Sequence, residues 1–169
     1  EGEDPITHHL EVLSGKTGSL IAAAGRMGAM TSGASPEVAA AIAEYGEKFG
    51  VAFQLSDDLL DIASESTESG KTPGTDLREG IRTLPVLFAL AGTDPADDRL
   101  RDLVSGPITD DDLVTEALTL LRNSSAMKQA REVLVDWAQQ ARAELNKLPV
   151  GPATDALSMM CDVVVDRSN

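Results

Sequence analysis

The chain has 169 residues, 42% hydrophobic but only 3% aromatic, which is enough to bury a core in one domain. Its formal net charge is −14. That excludes a nucleic-acid binder built on basic patches and disfavours docking on anionic membrane surfaces. The single cysteine, Cys161, rules out an internal disulfide and fits a reducing, cytoplasmic compartment.

The predicted elements are all helical. Asp4-Pro5 starts a helix over residues 6–30, with Ile6, Leu10, Leu13, Leu20, Ile21, Ala24 and Met27 as its apolar stripe. Thr31-Ser32-Gly33 makes a turn. Ser35 then caps a second helix with Pro36 at its first position, running to about Ser64. Residues 65–80 are rich in glycine, proline and polar residues and read as a loop. Helices follow at roughly 83–92, 95–105 and 110–122, the last capped near Thr109-Asp110. A longer one spans 123–147 (Val133, Leu134, Trp137, Ala141, Leu145). Pro149 to Pro152 breaks it, and residues 153–166 form the last helix. No alternating β-type run occurs, no run approaches the ~20 apolar residues of a membrane span, and no break marks a domain boundary. The expected architecture is one all-α unit over residues 1–169.

The second helix carries the chemistry. Phe53-Gln54-Leu55-Ser56-Asp57-Asp58-Leu59-Leu60-Asp61 puts Gln54, Asp57, Asp58 and Asp61 within an arc of roughly 100°. Like charges at this spacing cost a helix roughly 0.2–0.5 kcal/mol per pair, and the neighbours Phe49, Phe53, Leu60 and Ile62 are apolar. The helix dipole adds a negative end nearby. A cation is the natural compensation, and hard oxygen ligands without adjacent His or Cys favour Mg²⁺ shared with a substrate phosphate. The loop that follows supplies Lys71, Arg78 and Arg82, and Lys16-Thr17 lies upstream on the first helix. Metal-binding carboxylates with scattered basic side chains suit a diphosphate.

Other features carry less. Gly15-Lys16-Thr17 is not a phosphate-binding P-loop, since Leu10 stands where the first glycine belongs and the upstream pattern is helical. His8 and His9 have no ligand-spaced partner and read as surface or packing residues. Asp97-Asp98 and Asp110-Asp111-Asp112 sit at helix starts, where acids favour the dipole. Cys161 lies among Leu157, Met160 and Val164 and reads as core, and Trp137 as core or interface.

Three segments, Lys16-Thr17-Gly18-Ser19-Leu20, Phe53-Gln54 through Asp61, and Gly70-Lys71 through Pro85, resemble in order and spacing the C-terminal half of a trans-type polyprenyl (isoprenyl) diphosphate synthase, especially the actinobacterial kind. The resemblance implies a helical bundle of the isoprenoid synthase type, present here as its C-terminal portion. It implies head-to-tail condensation of isopentenyl diphosphate with an allylic diphosphate. By position, Asp57, Asp58 and Asp61 match the second aspartate-rich motif, which holds Mg²⁺ against the allylic diphosphate. Lys16 and Lys71 match lysines that contact that diphosphate. Thr17 and Gln54 match positions beside the reacting carbons, and Phe53 an aromatic facing the homoallylic substrate. Where many members have lysine, this chain has Ile81, with Arg82 the nearest base. The family's first aspartate-rich motif belongs to a half of the fold expected before Glu1, so residues 1–169 are expected to be a fragment, inactive alone. The family is typically dimeric, so a homodimer is expected. The alternative is a non-catalytic partner subunit of a heteromeric prenyl synthase; the intact Lys16, Gln54, Lys71 and aspartates argue against it. A terpene cyclase would carry a mixed Asn/Ser/Glu motif in place of Asp57-Asp58-x-x-Asp61.

Overall fold

The computed structural model describes residues 4–64 and 73–167. Its regular elements are helical: α1 (Pro5–Leu13), α2 (Ser19–Thr31), α3 (Pro36–Ala63), α4 (Thr75–Glu79), α5 (Leu84–Ala91), α6 (Asp98–Leu103), α7 (Asp111–Asn123), α8 (Ser125–Glu144) and α9 (Pro152–Asp166). None of the described helices is long and apolar enough to cross a membrane.

Local chemistry sets the helix starts. Asp4 accepts the Thr7 amide at 2.9 Å, Ser35 the Val38 amide at 3.4 Å, and Asp110 the amides of Asp112 and Leu113. Each satisfies a donor that the first turn leaves orphaned.

α3 is the central helix. Its buried residues, from Ala39 and Tyr45 through Phe49, Val51, Leu55, Leu59 and Ile62, wrap around much of its circumference. It packs against α2 on one side and α8 on another, with α5, α7 and α9 also touching it. α8 buries a single stripe, Ala126, Met127, Ala130, Leu134, Ala138 and Ala141, as an amphipathic helix should. Tyr45 donates to the Leu157 carbonyl at 3.0 Å, and Lys48 bonds Glu144 at 2.8 Å, tying α3 to α9 and α8. Cys161 is buried, and burial pushes its thiol above the ordinary value, which suits an inert core position. Leu134→Ala in the complete protein is expected to cost about 2–5 kcal/mol. A denaturant-unfolding midpoint checks this; an unchanged midpoint would contradict the packing of α8.

The expected helix over 6–30 is not continuous. Ser14–Gly18 forms a π-helical turn in which the Ser19 amide reaches back to the Ser14 carbonyl. The cause is close packing: the turn brings Gly18 onto α3, where a Cβ on Gly18 would lie 2.8 Å from the Glu47 carbonyl oxygen. Short π-helical bulges of this kind often mark functional positions. The apolar stripe assigned to this helix also needs correction. Leu20 and Met27 are 70% and 62% exposed, because α2 turns Ala22 and Gly25 toward Gly46 and Ile42 of α3 instead. Residues 65–80 are not all loop, since α4 lies within them. The helix expected over 123–147 ends at Glu144, and Leu145–Lys147 tightens into a 3₁₀ turn.

Candidate functional site

The second half of α3 presents the site. Val51, Ala52, Leu55, Leu59 and Ile62 are buried on one face. That fixes the rotation of the helix and leaves Phe53, Gln54, Asp57 and Asp61 on the opposite side. Asp58 lies between the two faces and is buried.

The π-helical turn brings Thr17 to this surface. Thr17 Oγ1 donates to Gln54 Oε1 at 3.3 Å, and Gln54 Nε2 donates to Asp58 Oδ1 at 3.3 Å. A short relay, Thr17–Gln54–Asp58, therefore joins two segments far apart in sequence. Lys16 is exposed and precedes Thr17 on the same turn. Phe53 is partly exposed, its ring tilted against Phe49 at a centroid separation of 6.4 Å.

The three aspartates share an arc but meet different partners. Asp57 lies 3.3 Å from Arg167 Nη2. Asp58 Oδ2 faces His9 Nε2 at 3.6 Å, beyond hydrogen-bond reach. Asp61 accepts the Thr75 amide on Oδ1 and the Asp76 amide on Oδ2, both at 3.2 Å. Its own carbonyl accepts the Gly74 amide at 3.0 Å. Gly74 sits at φ 79°, and a Cβ there would lie 2.8 Å from Val114 Cγ1, so the return from the loop is fixed by both backbone and packing.

Two of the basic residues that follow the aspartates bond elsewhere. Arg78 pairs with Asp111 at 2.7 Å, and Arg82 donates to the Ser105 carbonyl at 3.3 Å; both reach toward the segment around α6 and α7. Lys71 lies outside the described residues. The negative end of α3 does not depend on a metal: Arg122 of α7 donates to the carbonyls of Ile62 at 2.7 Å and Ser64 at 3.1 Å, the favoured place for a cation.

Two residues at the site were missed. Arg167 reaches Phe53, Ser56 and Asp57 from more than a hundred positions away, a separation no local pattern reports. His9, read as a surface or packing residue, contacts Asp58. Its signal was available, since it lies about two helical turns before Lys16.

The carboxylates suit a hard cation. Asp57 has 41% of its side chain exposed, and each oxygen of Asp61 meets one described backbone amide, which leaves acceptor capacity over. Among the described residues no three His, Cys, Asp or Glu side chains cluster tightly enough to hold a metal ion by themselves. One or two carboxylates with the rest of the shell from phosphate and water is the usual Mg²⁺ arrangement, so the donor set fits an ion shared with a ligand.

Residues 2–121 match the polyprenyl synthetase family model. A nonaprenyl diphosphate synthase of Mycobacterium tuberculosis is 52% identical over 167 residues, 99% of this chain and 50% of the relative. A dimethylallyltranstransferase of the same organism is 45% identical, covering 94% of this chain and 48% of the relative. Among solved structures, geranylgeranyl pyrophosphate synthase from Corynebacterium glutamicum complexed with calcium and isoprenyl diphosphate superposes with a TM-score of 0.91 at 43% identity. That match covers 98% of this chain and 52% of the other. The chain thus spans about half the length of the relatives it matches. On the family match and these identities, the chain belongs to the polyprenyl synthetase family.

Proposed function

We propose that residues 1–169 are the C-terminal half of a single all-helical domain that condenses isopentenyl diphosphate with an allylic prenyl diphosphate. The product is a longer trans-polyprenyl diphosphate, and the reaction depends on Mg²⁺ and takes place in the cytoplasm. The observation that carries this reading is the relay Thr17–Gln54–Asp58, which joins the Lys16-Thr17 turn to the aspartate helix. The names of the relatives support the reaction class.

Each residue then has a task. Asp57, Asp58 and Asp61 would share the binding of divalent metal, one or two carboxylates to an ion, and the bound charge would offset that of the departing diphosphate. Lys16, and Lys71 from the loop, take up the remaining phosphate charge. Arg82 would have to leave the Ser105 carbonyl to join them, so it ranks behind the two lysines. The allylic carbon–oxygen bond breaks, and its electron pair leaves with diphosphate. The double bond of isopentenyl diphosphate attacks the allylic cation, and a proton is then lost to the released diphosphate. Thr17 and Gln54 lie beside the reacting carbons and stabilise charge there through their oxygen dipoles. Phe53 bounds the homoallylic substrate.

Apolar side chains exposed on α2 (Leu20, Met27, Met30) and α9 (Met159, Met160, Val163) support further partners: the first half of the fold and a second copy in a homodimer. In an assay of the complete protein with both diphosphates and Mg²⁺, a lengthened prenyl diphosphate and inorganic diphosphate are expected. EDTA should lower the rate at least ~100-fold, and residues 1–169 alone should give no product. No product from the complete protein under any metal would reject the reading. Product restored only by adding a second prenyl synthase chain would support a non-catalytic partner subunit instead.

A further inference from the structure

Arg167 closes α9 and lies against α3. Its Nη2 donates to the Phe53 carbonyl at 2.7 Å and its Nε to Ser56 Oγ at 2.8 Å. Nη2 also lies 3.3 Å from Asp57 Oδ1, and the guanidinium carbon stands 4.2 Å from the centre of the Phe53 ring. The side chain is 27% exposed, and Ser56 is fully buried. The planar fork of arginine can serve a carbonyl, a hydroxyl, a carboxylate and an aromatic face at once; an ammonium has no such geometry. The contact is thus built into the fold.

Its place has a consequence for cations. A divalent ion on Asp57 would sit within a few ångströms of a fixed positive charge. That repulsion weakens uptake of the bare ion. An ion arriving with diphosphate brings its own negative charge, and the penalty largely cancels.

We infer that Arg167 is the internal counterion of Asp57 and competes with a divalent cation for that carboxylate, so that the site takes up the ion together with diphosphate in preference to the ion alone. The bonds to Phe53 and Ser56 hold the guanidinium in place whether or not Asp57 is engaged, which makes Arg167 a positioning residue. This inference rests on the reading of Asp57 as a cation ligand.

The test is a titration of the complete protein with Mn²⁺, with free ion followed by electron paramagnetic resonance. Without diphosphate, R167M is expected to bind Mn²⁺ roughly three- to tenfold more tightly than the wild type. R167K keeps a positive charge but not the planar fork that fixes it, so its affinity should fall between wild type and R167M. Saturating inorganic diphosphate should shrink the R167M advantage to less than about twofold. D57N should weaken binding, and R167M added to D57N should then change nothing. Should R167M unfold, as its circular dichroism would show, R167Q carries the same expectation. R167M binding no more tightly than wild type, or tightening equally in the D57N background, overturns the inference while leaving Asp57 as a ligand. Unchanged Mn²⁺ binding in D57N alone instead removes the ligand assignment of Asp57, and the inference with it.

Discussion

Asp58→Asn in the complete protein is expected to lower turnover by about 10²–10³-fold while leaving the unfolding midpoint close to that of the wild type. The variant is chosen for what it keeps. Asparagine has the same shape, and its carbonyl oxygen can still accept the Gln54 amide that Asp58 Oδ1 now accepts at 3.3 Å. What it loses is the negative charge, in a buried position. If Asp58 serves as an electrostatic ligand, the charge is the essential property. Excess Mg²⁺ should then recover only part of the rate. If Asp58 merely orients Gln54, and through it Thr17, the asparagine should work nearly as well. Steady-state rates of wild type, Asp58→Asn and Asp58→Ala separate the two. Near-normal turnover in Asp58→Asn would reject the metal-ligand role, and loss only in Asp58→Ala would leave the relay as the residue's function.

The helical class and most element boundaries were legible because they follow from local rules. Ser35-Pro36, Asp4-Pro5 and Asp110 cap as their types dictate. The site segments were legible as patterns, and the hydrogen bond from Thr17 to Gln54 brings two of them together. The energetic case for a cation was weaker than its premise. Isolated on a helix, Asp57, Asp58, Asp61 and the α3 carboxyl end call for one. In the fold, Arg167, Gln54, two backbone amides and Arg122 already meet them. Each of those partners comes from a remote segment or from backbone geometry, so sequence spacing could not report it. The same limit explains the π-helical turn. Its cause is the approach of Gly18 to α3, a property of the packed pair of helices and not of Ser14-Gly15-Lys16-Thr17-Gly18 alone. Arg78 and Arg82 follow the aspartates closely in sequence, yet in the fold they bond Asp111 and the Ser105 carbonyl.

That close approach makes Gly50→Ala the second large effect expected. A Cβ on Gly50 would lie 2.7 Å from Gly18 Cα and 2.9 Å from Gly18 N, both backbone atoms that no rotamer change can move. Gly46 meets α2 in the same way, 2.9 Å from Ala22 Cα. The added methyl must push the π-helical turn away from α3. Overpacking of this kind typically costs about 1–3 kcal/mol. The larger consequence is geometric. Thr17 already bonds Gln54 at 3.3 Å, longer than the usual range for a hydroxyl donor, so a further displacement breaks the relay and carries Lys16 with it. A misplacement of about 1 Å can cost roughly 10²-fold in rate. Gly28→Ala provides the control: it lies inside α2, and among the described residues nothing stands within 4 Å of the added atom. There alanine should raise stability by about 0.5–1 kcal/mol and leave turnover unchanged. Thermal unfolding and steady-state assays of the two variants in the complete protein give opposite signs if the crossing of these helices positions the site. Gly50→Ala behaving like Gly28→Ala would show that the Lys16-Thr17 turn does not depend on that contact.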